Sequence, residues 1–192
     1  DNVKVTGTNP DPNTERECGV YVDKTSTLKH LTVTDCAFDS LLYGWYLHKD
    51  TVLDGSTVQY VTVSGTSFSG NVHKGLYGEK LSDATFSNCT FDGNGFDGSL
   101  LPSYFVDWMC GIDINLKAGN YANLAFNGCA ITDNGTGGAK EGAGINIKAR
   151  DDGSYADFPA YCHGVTISGC TITGNERGLR FGEPGKNNAG PT

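Results

Sequence analysis

The sequence predicts an all-β protein, a right-handed parallel β-helix of about five to six coils with three short strands in each. Three observations lead there. The pattern "LTVTDCAFDS" at 31–40 recurs as "VTVSGTSFSGN" at 61–71, "ATFSNCTFDGN" at 84–94, "LAFNGCAITDN" at 124–134 and "VTISGCTITGN" at 165–175. A second element, opening on a glycine, appears six times: "GVYV" at 19, "GWYL" at 44, "GLYG" at 75, "GIDI" at 111, "GINI" at 144 and "GLRF" at 178. Asn71, Asn94, Asn134 and Asn175 each stand three residues after an inward apolar residue, namely Phe68, Phe91, Ile131 and Ile172.

Each element follows from period-two alternation between turn residues. The first strand of a coil reads Leu31-Thr32-Val33-Thr34, with Leu31 and Val33 facing in. A two-residue turn leads to Cys36-Ala37-Phe38, whose ends face in. A corner then opens the glycine strand, where Trp45 and Leu47, or Ile112 and Ile114, face in. A coil this short cannot bury its own apolar face, so coils must stack. Equivalent strands then lie parallel, and right-handed crossovers are the strong default. The asparagines fall at one corner, where stacked amides hydrogen-bond along the pile; Leu41 takes that place in the first coil.

Four of the seven cysteines, Cys36, Cys89, Cys129 and Cys170, occupy one inward place in successive repeats, with Thr66 in the fifth. They read as a buried ladder of free thiols acting as small hydrophobes. Cys110 and Cys162 lie in neighbouring coils and are candidates for a disulfide, subject to geometry.

The 192 residues suffice for one domain, spanning 1–192, with a substantial core. The net charge of −8 argues against a nucleic-acid partner, which needs a basic face. No apolar run reaches the roughly 18 residues of a membrane span. The chain begins and stops within a coil and shows no capping helix, so it reads as a segment of a longer protein, with flanking domains or end-to-end self-association covering its ends.

Long loops concentrate around the glycine strands. Insertions at 96–109 and 136–143 precede them; insertions at 50–57 and 151–162 follow them. Such loops wall a groove, and loops on a rigid scaffold are where function concentrates. The outward residues between these walls read Tyr21, Tyr46, Tyr77, Asp113, Asn146, Arg180, then Asp23, His48, Glu79, Asn115, Lys148. Tyrosines offer stacking surface for sugar rings, and the amides and charges offer hydrogen bonds. The walls add Tyr104, Trp108, Arg150, Tyr161 and His163. Asp107, Asp113, Asp151 and Asp152 are candidate calcium ligands, and the sequence points to no other cofactor.

The repeat, as in "SNCTFDGN" and "SGCTITGN", resembles that of the pectate-lyase-like superfamily of β-helices, over nearly the whole chain. The resemblance implies an extended polysaccharide as partner, lying along the glycine-strand face, and an extracellular or cell-surface location. Binding and catalysis both remain open. A catalyst acting on uronic acids needs a cation for the carboxylate, a base for the C5 proton and an acid. Arg150 or Arg180 would neutralise, Lys148 or His163 would be the base, and Tyr161 or Tyr104 the donor. Asp113, with Asp151 or Asp152, would form the pair a hydrolase needs. The nearby cations favour a lyase or C5-epimerase instead. Tyr46, Tyr77, Asn115, Asn146, Arg180, Tyr104 and Trp108 would bind substrate. Two other readings stand beside this one. A structural or adhesive spacer needs only the repeat. Ice binding would use the outward Thr32, Thr62, Thr85 and Thr166 column with its serine neighbours.

Overall fold

The computed structural model describes residues 1–7, 17–49, 55–103, 106–138 and 141–182. Its strands follow one another around the coils. They are β1 (Lys4–Thr6), β2 (Cys18–Val22) and β3 (Leu28–Thr34), then β4 (Ala37–Asp39), β5 (Tyr43–Leu47) and β6 (Val58–Ser64). Next come β7 (Ser67–Ser69), β8 (Lys74–Gly78) and β9 (Leu81–Ser87), then β10 (Thr90–Asp92), β11 (Cys110–Leu116) and β12 (Gly119–Asn127). The last are β13 (Ala130–Thr132), β14 (Ala143–Ala149), β15 (Ala160–Ser168), β16 (Thr171–Thr173) and β17 (Leu179–Phe181). Every third strand is hydrogen-bonded into one sheet, and the pairings are parallel. The short-strand sheet runs β1-β4-β7-β10-β13-β16, the glycine-strand sheet β2-β5-β8-β11-β14-β17 and the long-strand sheet β3-β6-β9-β12-β15. The predicted architecture is therefore present, and no α-helix occurs among the described residues.

The core is the stack of inward columns. Phe68 and Phe91 lie 4.7 Å apart with rings parallel to within 2°, and Phe86 stacks on Phe126 at 5.3 Å. At the following corner Asn71, Asn94, Asn134 and Asn175 form a continuous amide ladder. Asn94 Oδ1 accepts from both the backbone N and Nδ2 of Asn71, at 3.1 and 2.8 Å, and Asn94 Nδ2 donates to Asn134 Oδ1 at 2.9 Å and to the Phe68 carbonyl at 2.7 Å. Leu41 enters the ladder only through its backbone N, which donates to Asn71 Oδ1.

The glycine column exists to admit that ladder. A Cβ at Gly44 would lie 2.3 Å from the Gly75 carbonyl oxygen, and one at Gly111 would lie 2.8 Å from the Asn134 amide. Backbone and amide together leave no room for a side chain.

None of the seven cysteines forms a disulfide. The ladder thiols face in, as expected, and Cys129 N donates to Cys170 Sγ at 3.3 Å. A Cys110–Cys162 disulfide is ruled out. Cys162 packs in the core inside the long-strand sheet, whereas Cys110 shares the outer face of the glycine-strand sheet with its register partner Lys74.

Each coil also carries left-handed residues at fixed places. One column sits at the turn before the short strand (Asp35, Gly65, Asn88, Gly128, Gly169), another at the corner after it (Ser40, Gly70, Gly93, Asp133, Gly174). A third column lies in mid-strand on the long-strand sheet: His30, Tyr60, Asp83, Asn123 and Gly164, with φ between 49° and 69°. Nothing in the alternation signals this last kink.

Candidate functional site

The outer face of the glycine-strand sheet divides into two halves. Over the early coils, Leu101 and Met109 from the insertion fold down and are buried with Leu42, Tyr43, Tyr46 and Val72 in a second apolar cluster, against which Tyr77, Cys18 and Val106 also pack. Leu101, Val106 and Met109 gain more by covering tyrosine faces than by standing in a solvated wall. The expected open aromatic floor is therefore corrected. Tyr46 is 4% exposed, at 5.1 Å from the Tyr43 ring and 5.0 Å from Tyr77, which is half-buried, while Tyr21 at the edge is exposed.

Over the later coils the face is polar and also buried. Lys74 Nζ donates to Asp113 Oδ2 at 2.6 Å and lies 3.9 Å over the Tyr77 ring. Asn146, in register with Asp113, donates from Nδ2 to Asp113 Oδ1 at 2.7 Å. One residue pair along, Tyr77 donates its hydroxyl to Glu79 Oε1 at 2.8 Å and accepts from Asn115 Nδ2 at 2.9 Å. Glu79 also accepts from the backbone N of Lys49 at 2.8 Å and pairs with Lys117.

The result is two relays, each fixed by a carboxylate and each ending at an amide. Because Asp113 and the Glu79–Tyr77 pair take the NH2 groups, the orientations of Asn146 and Asn115 are forced. Their Oδ1 atoms are left buried with no donor. Buried acceptors without partners are uncommon and mark a place for an incoming donor. Lys148 is the register partner of Asn115 and lies two residues beyond Asn146, with its Nζ 5.8 Å from the Trp108 ring. Trp108 itself holds a left-handed backbone, φ 64°, in the insertion that bounds the site.

The electrostatics favour holding over proton transfer. Burial by itself would raise the Asp113 carboxyl, but Lys74 and Lys148 with the hydrogen bonds of Lys74 and Asn146 hold it down at about 2. Burial, with Glu79 and Asp113, pushes the Tyr77 hydroxyl well above its usual value, so it stays a donor.

The sequence-derived residues thus fall into two groups. Asp113, Asn115, Asn146, Lys148, Tyr77 and Arg180 come together on one face, with Trp108 beside them. Tyr161 and His163 do not join them. The loop expected over 151–162 ends earlier, because β15 starts at Ala160, and both side chains alternate outward from the long-strand sheet, Tyr161 at 40% exposure. Arg150 is also committed elsewhere: Nη2 donates to Asp152 Oδ2 at 2.8 Å, and the guanidinium sits 5.0 Å over the Tyr155 ring. Arg180 pairs with Glu141 at 2.6 Å. Tyr104 lies outside the described residues. Of the candidate calcium ligands, Asp113 and Asp152 are held by cations. Among the described residues no group of three or more His, Cys, Asp or Glu side chains is placed to hold a metal ion.

Lys74 was missed, as were Tyr43 and His73, whose Nδ1 lies 2.9 Å from the Tyr43 hydroxyl. The signal was available. The outward column begins one residue before the glycine, at Cys18, Tyr43, Lys74, Cys110 and Ala143, so a strand begun at the glycine leaves it out.

Residues 1–189 match the family model described as a right handed beta helix region, and the chain belongs to that family. Such domains are often found in carbohydrate-active or surface proteins. No curated protein and no solved structure matches the chain.

Proposed function

We propose that this β-helix binds a hydroxyl-rich polysaccharide, outside the cell or at its surface, on the polar half of the glycine-strand face, and that it recognises the chain rather than cleaving it. The observation that carries the reading is the pair of buried, donorless amide oxygens, Asn115 Oδ1 and Asn146 Oδ1, on neighbouring strands. Sugar hydroxyls are the donors that such acceptors lack. Parallel coils repeat at about 4.8 Å, so diagonal positions two residues apart lie roughly 8 Å from each other, a span suited to successive groups on one saccharide chain. Lys148 beside Asn115 favours an acidic sugar, and Trp108 adds an aromatic surface.

Recognition is favoured because the groups that chemistry would use are already engaged. Arg150 and Arg180 are paired with carboxylates, so neither stands ready for a substrate carboxylate. A carboxyl held near 2, as in Asp113, is too weak a base to take a C5 proton.

The test is a panel of neutral and acidic oligosaccharides, read by calorimetry on the wild type and on Asn115→Ala and Asn146→Ala, with ultraviolet absorbance followed for unsaturated ends. Binding without new absorbance, weakened about tenfold by either substitution, is expected; losing one hydrogen bond to a ligand is worth about that much. Rising absorbance would make the protein a lyase. No binding across the panel would favour the spacer reading.

A further inference from the structure

We infer that Glu141 is a specificity-determining residue of the glycine-strand face, and that it reserves the Arg180 end of the site for a neutral, hydroxyl-bearing sugar unit. The inference rests on the reading of that face as a polysaccharide site, and adds which unit its last two coils accept.

Two polar groups there are complementary yet unjoined. Asn146 on β14 and Arg180 on β17 are register partners on adjacent strands. Asn146 Oδ1 is a buried acceptor without a donor, and Arg180 Nη2 is a buried donor without a hydrogen-bond acceptor. The Asn146 NH2 group is already given to Asp113. The guanidinium is turned to Glu141. Its Nη1 donates to the Glu141 carbonyl at 3.0 Å, and its Nη2 lies 2.6 Å from Glu141 Oε2, an ion pair without the alignment of a hydrogen bond. Nη2 carries two hydrogens, so even beside Glu141 it has a donor to give. A hydroxyl both gives and accepts through a single atom. Seated between these coils, one sugar hydroxyl donates to Asn146 Oδ1 and accepts from Arg180 Nη2. A carboxylate would accept from Arg180 but set oxygen against oxygen at Asn146.

The charges turn an acid away from the same place. Along this row Lys74 is paired with Asp113, and Arg180 with Glu141. Glu141 is the more open partner of its pair, with a side chain 24% exposed against 8% for Arg180. An incoming carboxylate therefore meets the carboxylate of Glu141, and like charges so juxtaposed repel. The backbone keeps Glu141 there. It holds a left-handed conformation, φ 71°, uncommon for a residue other than glycine. Its neighbour Gly142 is tied through both backbone groups: N donates to Glu176 Oε2 at 3.0 Å, and O accepts from Arg177 Nη1 at 3.4 Å. The acidic unit that Lys148 favours thus belongs beside Asn115, and the unit at Asn146 and Arg180 is neutral.

The experiment is calorimetric titration of the full chain with a neutral hexose trisaccharide and with the matching hexuronate trisaccharide, on the wild type, Glu141→Gln and Arg180→Gln. Gln keeps the size of Glu and the backbone carbonyl that holds Arg180, so Glu141→Gln should melt close to the wild type. In that variant the affinity for the uronate relative to the neutral sugar should rise about tenfold, as a like-charge contact is lifted. Arg180→Gln should weaken the neutral trisaccharide about tenfold or more, the usual cost of losing a hydrogen bond from a charged group. An unchanged ratio in Glu141→Gln, or an equal loss for both sugars as a merely structural role predicts, would overturn the inference and leave the face a sugar site. Neutral affinity unchanged in Arg180→Gln would overturn the hydroxyl bridge. Failure of both trisaccharides to bind the wild type would overturn the site reading itself, and this inference with it.

Discussion

Lys74 Nζ and Asp113 Oδ2 stand 2.6 Å apart across adjacent coils, with side chains only 5% and 1% exposed. A pair so placed ties stability to pH. The folded carboxyl lies near 2, below the roughly 4 of an unfolded aspartate. A depressed carboxyl contributes stability that is full above the unfolded value and is lost as pH falls through the folded one. Urea melts between about pH 5 and pH 2 should show the wild type losing about 2 kcal/mol that a Lys74→Met/Asp113→Asn double variant does not lose. Parallel curves would sink the assignment.

Breaking the pair is a different matter from replacing it. Lys74→Met alone leaves a buried carboxylate with a weakened set of partners, and should destabilise by about 3–5 kcal/mol. The double variant should recover much of that. Denaturation midpoints of the two singles and the double give the coupling directly.

The amide ladder predicts a gradient along the coil. Asn94→Ala leaves two donors of Asn71, the Phe68 carbonyl and Asn134 Oδ1 each short of a partner, all of them buried, at a cost of about 3 kcal/mol or more. Asn175→Ala, half-exposed near the last coil, should cost less, because water can replace part of what is lost. Calorimetric melting temperatures should fall in that order.

The glycine column makes a matched comparison. Gly44→Ala places a methyl 2.3 Å from a backbone carbonyl and should unfold the early coils or lower the midpoint severely. Gly178→Ala meets nothing closer than Ile172 Cγ2 at 3.5 Å, and should be neutral. Equal effects would mean that glycine is needed there for backbone freedom and not for space.

Thiol chemistry should follow burial. Burial pushes the Cys110 thiol up to about 12 and Cys162 to about 11. Alkylation of the native chain, read by mass spectrometry, should therefore label the half-exposed Cys18 and Cys170 long before either of these.

The repeat exposed the coil, the inward columns, the thiols and the amides, since each is a residue type recurring at one place. Three things were hidden. The left-handed kink in the long strands is filled by five different residue types, so no column shows it. The packing of Leu101 and Met109 onto Tyr43 and Tyr46 depends on a loop's apolar content meeting a face that alternation marks as outward. Lys74 sits where other coils carry tyrosine, cysteine or alanine, and its role appears only beside Asp113 in the next coil. Asn115 and Asn146 were legible as polar surface, but not as acceptors left over, because that depends on what their NH2 groups already serve.

The amides of the corner ladder all point one way. Between the asparagines the sense is constant: the Nδ2 of Asn71, of Asn94 and of Asn134 each gives to the Oδ1 of the asparagine in the next coil, up to Asn175 at the end of the line. Aligned group dipoles add, so the seam acts as an electrical axis through the protein, and each bond polarises its neighbours. A coil can be spliced into the middle without disturbing that sense, provided that it brings its own asparagine and glycine. Growth or loss of length by whole coils is thus electrostatically neutral, whereas inverting one amide would set two carbonyls face to face and halt the line.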